Sequence, residues 1–151
     1  MHSLVRRFIK TAIAFLAVGL AIGVWMMVRR ELADHFPTPY EISAHTHAIL
    51  VGFVMTMILG VALWLFPRPE KGDVRYNPAL VETSYWLLTV GTAIRVAGEL
   101  ARPAVSALWL RWLVLLAGTA QALALVTFFY TMWTRVRSAG SREREAKGER
   151  F

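Results

Sequence analysis

Four long apolar blocks, at residues 8–28, 44–66, 78–100 and 107–133, constrain this chain more than anything else in it. Each is near the roughly 20 residues that carry a helix across a ~30 Å hydrocarbon core. Inside lipid only helices and closed barrels satisfy the backbone. The blocks run continuously instead of alternating polar with apolar, which selects helices. The sequence therefore predicts an all-α integral membrane four-helix bundle, with one domain over 1–134 and a basic tail over 135–151. The composition agrees, since 56% of the residues are hydrophobic. The third block is the weakest, because it carries Glu82, Arg95 and Glu99. The first has a basic start at Arg6, Arg7 and Lys10. Its apolar core is longer than the roughly 7–15 residues of a secretory signal and ends in bulky Trp25-Met26-Met27, so a retained helix is expected.

The net charge of +7 is unevenly spread. Basic residues crowd the N-terminus (Arg6, Arg7, Lys10), the middle loop (Arg68, Lys71, Arg75) and the tail after Trp133. The opposite side holds Arg29, Arg30 and Arg102, with Arg95 and Arg111 near it. The excess of Lys and Arg on one side predicts both termini in the cytoplasm. Topology thus accounts for the charge, and no nucleic acid partner is expected. With no cysteine, the chain has no disulfide, thiolate metal site or iron–sulfur cluster.

Prolines punctuate the connections. Pro37 and Pro39 lie in the outer loop, 29–43, and Ser43 or Thr46 is expected to cap the second helix. Pro67 and Pro69 are expected to stop that helix, and Arg102-Pro103 to break the chain between the last two spans. Trp25, Trp109 and Trp112 sit at span ends as interfacial anchors. Small residues inside the spans, such as Gly19 with Gly23 and Gly52 with Gly60, allow close helix approach.

Chemistry concentrates in the histidines. His2 is terminal and His35 lies in the outer loop, but His45 and His47 open a membrane helix, where ionisable groups are rare and tend to mark function. Histidine is the commonest metal ligand, although a polar pair at the membrane interface would read the same way. Residues i and i+2 on an α-helix lie about 200° apart around its axis. One regular helix therefore points these imidazoles in nearly opposite directions. They cannot be the two axial ligands of one heme or readily chelate a single ion while the helix is regular, but each can serve a different site on its own flank.

The run Ala44-His45-Thr46-His47-Ala48-Ile49-Leu50, continuing to Gly60 and Leu65-Phe66-Pro67, resembles the heme-ligating helix of cytochrome oxidase subunit I. That helix reads A-H-x-H-x-x-L, then a Gly, then W-F-P, at the same length and without a gap. Tyr40 matches an aromatic just before it, and the resemblance makes it a further cofactor-binding candidate. The wider family is the heme-copper oxidase and nitric oxide reductase superfamily, in which the first histidine of this pair binds the high-spin heme and the second the low-spin heme. The resemblance implies that His45 and His47 face two different hemes, of b type, in a bacterial or archaeal plasma membrane. A full subunit I has twelve helices and a copper centre with three further histidines, whereas no histidine follows position 47 here. Oxygen reduction at a heme-copper centre is not expected of this chain alone.

The twelve helices of the family resemble three arcs of four. A four-helix chain resembles one arc, and three copies would rebuild the ring. In such a homotrimer, His45 of one copy and His47 of the next would hold one heme between them. Arg95 and Glu99, at i and i+4, share a helix face near the level of the histidines. Arg95 is a candidate for heme propionates, as are Arg29, Arg30, Arg102 and Arg111, or else Arg95 pairs with Glu99. Glu82 reads as an interfacial carboxylate, with proton uptake as the alternative. Three functions compete: a b-type cytochrome that transfers electrons, with quinol or an oxidase as partner; a heme sensor for nitric oxide or oxygen; and a cofactor-free oxidase accessory protein.

Overall fold

A computed structural model of the chain describes residues 3–67, 74, 76–136 and 147–148. His2, Pro69, the basic middle-loop residues Arg68, Lys71 and Arg75, and most of the basic tail lie outside the described residues. Among those described there is no strand. The helices are α1 (Ser3–Ala33), α2 (Pro39–Thr46), α3 (Thr56–Leu65), α4 (Pro78–Ala101) and α5 (Leu108–Met132). A π-helical segment, His47–Met55, joins α2 to α3 in one rod, and a 3-10 turn, Trp133–Arg135, ends the bundle.

The loop expected over 29–43 is far shorter than the sequence suggests, because helix extends into it from both sides. Asp34 closes α1 in the left-handed region (φ 48°), and the His35 N–H donates to Arg29 O at 3.1 Å. Asp tolerates this conformation better than most side-chain-bearing residues. Neither Ser43 nor Thr46 caps the second rod. Thr38 does, in a reciprocal box: its Oγ1 accepts from Glu41 N at 3.3 Å and its N–H donates to Glu41 Oε2 at 2.6 Å, with Pro39 at the first helical position. Both Ser43 and Thr46 face residues of their own helix or its neighbour instead, and Thr46 Oγ1 donates to Ile42 O. Asn77 caps α4 by accepting from Ala79 N at 2.9 Å, followed by Pro78. The rod stops at Leu65, just ahead of Pro67.

Three rods, Ser3–Ala33, Pro39–Leu65 and Leu108–Arg135, are long and apolar enough to cross a membrane. The chain is thus an integral membrane helical bundle. α4 falls short by composition because of its charges, and the structure pairs each of them. Glu82 accepts from Arg7 at 2.6 Å at the exposed end, and Arg95 Nε donates to Glu99 at 3.1 Å inside.

Two cores hold the rods together. Toward the N-terminal end of α1, Phe8, Leu59, Tyr85, Leu88, Phe128 and Met132 bring α1, α3, α4 and α5 to one point. Phe8 stands edge-on to Tyr85 (centroids 5.0 Å apart) and to Phe128 (6.0 Å). Gly60 makes the space, since a Cβ there would lie 2.8 Å from Phe8 Cβ. Near the histidines the core is smaller and joins only α1, the second rod and α4, through Ile22, Ala44, Ala48 and Val96. Outside these cores the surface is covered with exposed Leu, Val, Trp and Phe. In water such a surface would aggregate; in lipid it is the solvent-facing side.

Arg135 locks the end of the second rod. Its buried guanidinium donates to Leu63 O, Phe66 O and Pro67 O at 2.8–3.1 Å and stacks over Tyr76. These carbonyls lie at the C-terminus of α3, where the last carbonyls of a helix have no partner within it.

Candidate functional site

His45 and His47 leave the second rod on opposite flanks, His45 toward α1 and His47 toward α4. The angular expectation holds even though the rod is not uniform: α-helical turns end at Thr46 and the wider π turns begin at His47. The Thr56 N–H reaches back five residues to Val51 O, and Thr56 Oγ1 donates to the same carbonyl at 3.0 Å. A regular α-helix was expected across 44–66. Nothing in the composition of His47–Met55, which is apolar throughout, marks the change. Segments of this kind recur at functional sites.

Each imidazole is tied at Nδ1. His45 Nδ1 lies 2.9 Å from Gly19 O, and His47 Nδ1 lies 2.8 Å from Ser43 O. A carbonyl oxygen only accepts, so Nδ1 carries the proton in both rings. The lone pair is then left on Nε2, the arrangement usual for a histidine that binds metal. The His45 ring lies in a notch of α1, where a Cβ on Gly23 would come 2.8 Å from its Cε1. Both rings are half-buried. Among the described residues no three His, Asp or Glu side chains gather into a chelating group.

Around His47 runs a hydrogen-bonded chain. Ser43 Oγ donates to Glu99 Oε1 at 2.9 Å, and Arg95 Nε donates to the same oxygen at 3.1 Å. Arg95 Nη1 donates to Gln121 Oε1 at 3.1 Å, and Gln121 Nε2 donates to Thr92 Oγ1 at 2.9 Å. Gly118 leaves room for the guanidinium, since a Cβ there would be 2.8 Å from Arg95 Nη1. The Arg95–Glu99 pair predicted from i,i+4 spacing is present. Its links to Ser43 and Gln121 cross between helices and leave no trace in local spacing.

The remaining candidates sit at the end of the bundle that holds the histidines. Arg29 donates to the buried Glu41 at 2.7 Å and stacks over Trp25 at 4.5 Å, so it braces the cap of α2. Arg30 pairs with its neighbour Glu31 at 2.6 Å on the exposed surface. Tyr40 OH accepts from Arg102 at 3.1 Å, and the guanidinium lies over its ring. The structure brings Tyr40, Arg29 and Glu41 together around the start of the rod that bears the histidines. Glu41 was not singled out from the sequence, although Thr38-Pro39-x-Glu41 is a legible capping box.

The family described as cytochrome c and quinol oxidase polypeptide I matches residues 3–148. The chain belongs to this family. Membership in the oxidase polypeptide I family extends the likeness from the histidine rod to all the helices. The cbb3-type cytochrome c oxidase subunit CcoN1 of Stutzerimonas stutzeri is 28% identical over 91 residues, which covers 60% of this chain. The chain spans only 19% of the length of that relative. No solved structure matches it. The protein is thus a membrane protein like oxidase subunit I, and its histidine rod lies within the matched region.

Proposed function

We infer that the chain is a b-type membrane cytochrome that transfers electrons, in which His45 and His47 bond the irons of two different hemes through Nε2. The observation that carries this reading is the matched state of the two imidazoles: each has its Nδ1–H committed to a carbonyl, and they leave opposite flanks of one rod. The donor set fits the group. Neutral imidazoles are good iron ligands, the notch at Gly23 fixes one ring, and the Ser43 turn fixes the other. A heme held by two imidazoles supplies a low-spin iron suited to one-electron transfer.

One copy offers one imidazole to each side, so the second ligand for each iron must come from elsewhere. Three copies in a ring satisfy this, with His45 of one facing His47 of the next. Head-to-tail contacts of this kind close into cyclic oligomers. The ring rests on the resemblance to oxidase subunit I, whose twelve helices resemble three arcs of four. In this arrangement α4 crosses the bilayer with the other rods, its Arg95–Glu99 pair neutralised inside, and both termini face the cytoplasm. Arg30 pairs with the adjacent Glu31 on the exposed surface and can exchange it for a propionate, whereas Arg29 and Arg95 serve buried carboxylates first. Quinol or an oxidase is the proposed electron-transfer partner.

The test is a reduced-minus-oxidised spectrum with a pyridine hemochrome assay on protein produced with ample heme. One heme b per chain is expected, lost in both His45→Ala and His47→Ala. A colourless preparation would end the reading. Loss in only one of the two variants would turn it toward a single-histidine gas-binding heme.

A further inference from the structure

We propose that Glu99 is a positioning residue for His47 and makes it the more electron-donating of the two imidazoles. This rests on the heme reading above. Glu99 belongs to α4 and is only 4% exposed, yet it reaches the second rod. Its two oxygens are used very differently. Oε1 accepts from both Ser43 Oγ and Arg95 Nε. Oε2 is buried with no hydrogen-bond partner and lies 3.5 Å from His47 Nδ1. Leaving a buried carboxylate oxygen unpaired is costly. The proton on His47 Nδ1, now directed at Ser43 O 2.8 Å away, is the nearby donor that can be shared with it by a small turn of the ring.

The clamp around Glu99 holds that oxygen in place. Arg95 and Ser43 grip Oε1 from two helices, and Gln121 with Thr92 hold Arg95 in turn. The carboxylate cannot swing away from the imidazole without breaking this chain. A ligating histidine whose N–H meets a carboxylate is a more basic ligand than one whose N–H meets a neutral carbonyl. His45 has only the neutral Gly19 carbonyl at Nδ1. The two ends of a heme bridging neighbouring copies are therefore unequal. The His47 side favours the oxidised iron and holds the midpoint potential down.

The experiment uses the full chain, purified with heme, and measures heme per chain, the midpoint potential and the ferric electron paramagnetic resonance spectrum. Glu99→Gln keeps the shape and still accepts from Ser43 and Arg95. It is expected to leave heme stoichiometry unchanged, raise the midpoint potential and shift the g values. Glu99→Asp keeps the charge but withdraws the oxygen from the ring, and is expected to give g values like those of Glu99→Gln. An unchanged potential and spectrum in Glu99→Gln would overturn the proposal while leaving heme binding intact. Wild-type behaviour in Glu99→Asp would also overturn it, since charge alone would then suffice. If Glu99→Gln does not accumulate, Ser43→Ala removes one side of the clamp. It should raise the potential by a smaller amount, and no change there counts against the proposal. A wild-type protein without heme would defeat the cytochrome reading itself.

Discussion

Gly23 of α1 faces the imidazole of His45 so closely that a single added Cβ would lie 2.8 Å from the ring Cε1. The glycine is what lets the ring sit against α1 and reach Gly19 O. Gly23→Ala should push the ring out of its notch, with an overpacking cost of about 1–3 kcal/mol. Heme per chain is expected to fall severalfold, while far-ultraviolet circular dichroism stays that of the wild type. Full heme content in Gly23→Ala would mean that the notch does not position the ligand.

The cap on α2 gives a second expectation. Thr38→Ala removes the hydroxyl of the reciprocal box and should cost about 1 kcal/mol. The loss is read as a lowered thermal midpoint in detergent. Thr38→Ser should retain most of the stability, because the same oxygen remains available.

Arg135 predicts a larger effect at the other end of the rod. Its guanidinium serves carbonyls of Leu63, Phe66 and Pro67. Arg135→Met fills the volume but abandons them, and hydrogen bonds to charged groups are each worth about 1.5–3 kcal/mol. Arg135→Met is expected to destabilise the bundle by about 3 kcal/mol, measured by denaturant titration. Arg135→Lys, which cannot fork across several carbonyls, should recover only part of this.

Thr11 Oγ1 and Tyr85 OH lie 2.8 Å apart between α1 and α4. Hydrogen bonds between membrane helices average only about 0.6 kcal/mol in double-mutant cycles. A cycle of Thr11→Val and Tyr85→Phe should return a coupling of that size. Tyr85→Phe keeps the ring that packs on Phe8, so its own effect should stay small. A coupling several times larger would show this pair to be a main tie between the two helices.

The apolar blocks were enough to locate every long helix, because lipid leaves the chain few options. Their ends were less legible. The second rod starts at Pro39, ahead of the apolar run at Ala44, because Thr38 and Glu41 form a polar cap that hydropathy does not register. The opposed histidines followed from spacing alone, and so did the Arg95–Glu99 pair. Glu99 beside His47 did not, because it depends on which faces of α4 and the second rod meet. The tie from Arg135 to the end of α3 was hidden for the same reason, being made across about 70 residues of sequence by the packing of two rods.

Because the coil widens between His47 and Met55, each residue there turns the chain by less than in an α-helix, and everything downstream in that rod lags in azimuth relative to a uniform α-helix. A uniform α-helix over the same residues would turn Gly60 off Phe8 and onto another face. The stretch acts as a phase shifter: it lets the imidazole end and the glycine end of a single rod be aimed independently.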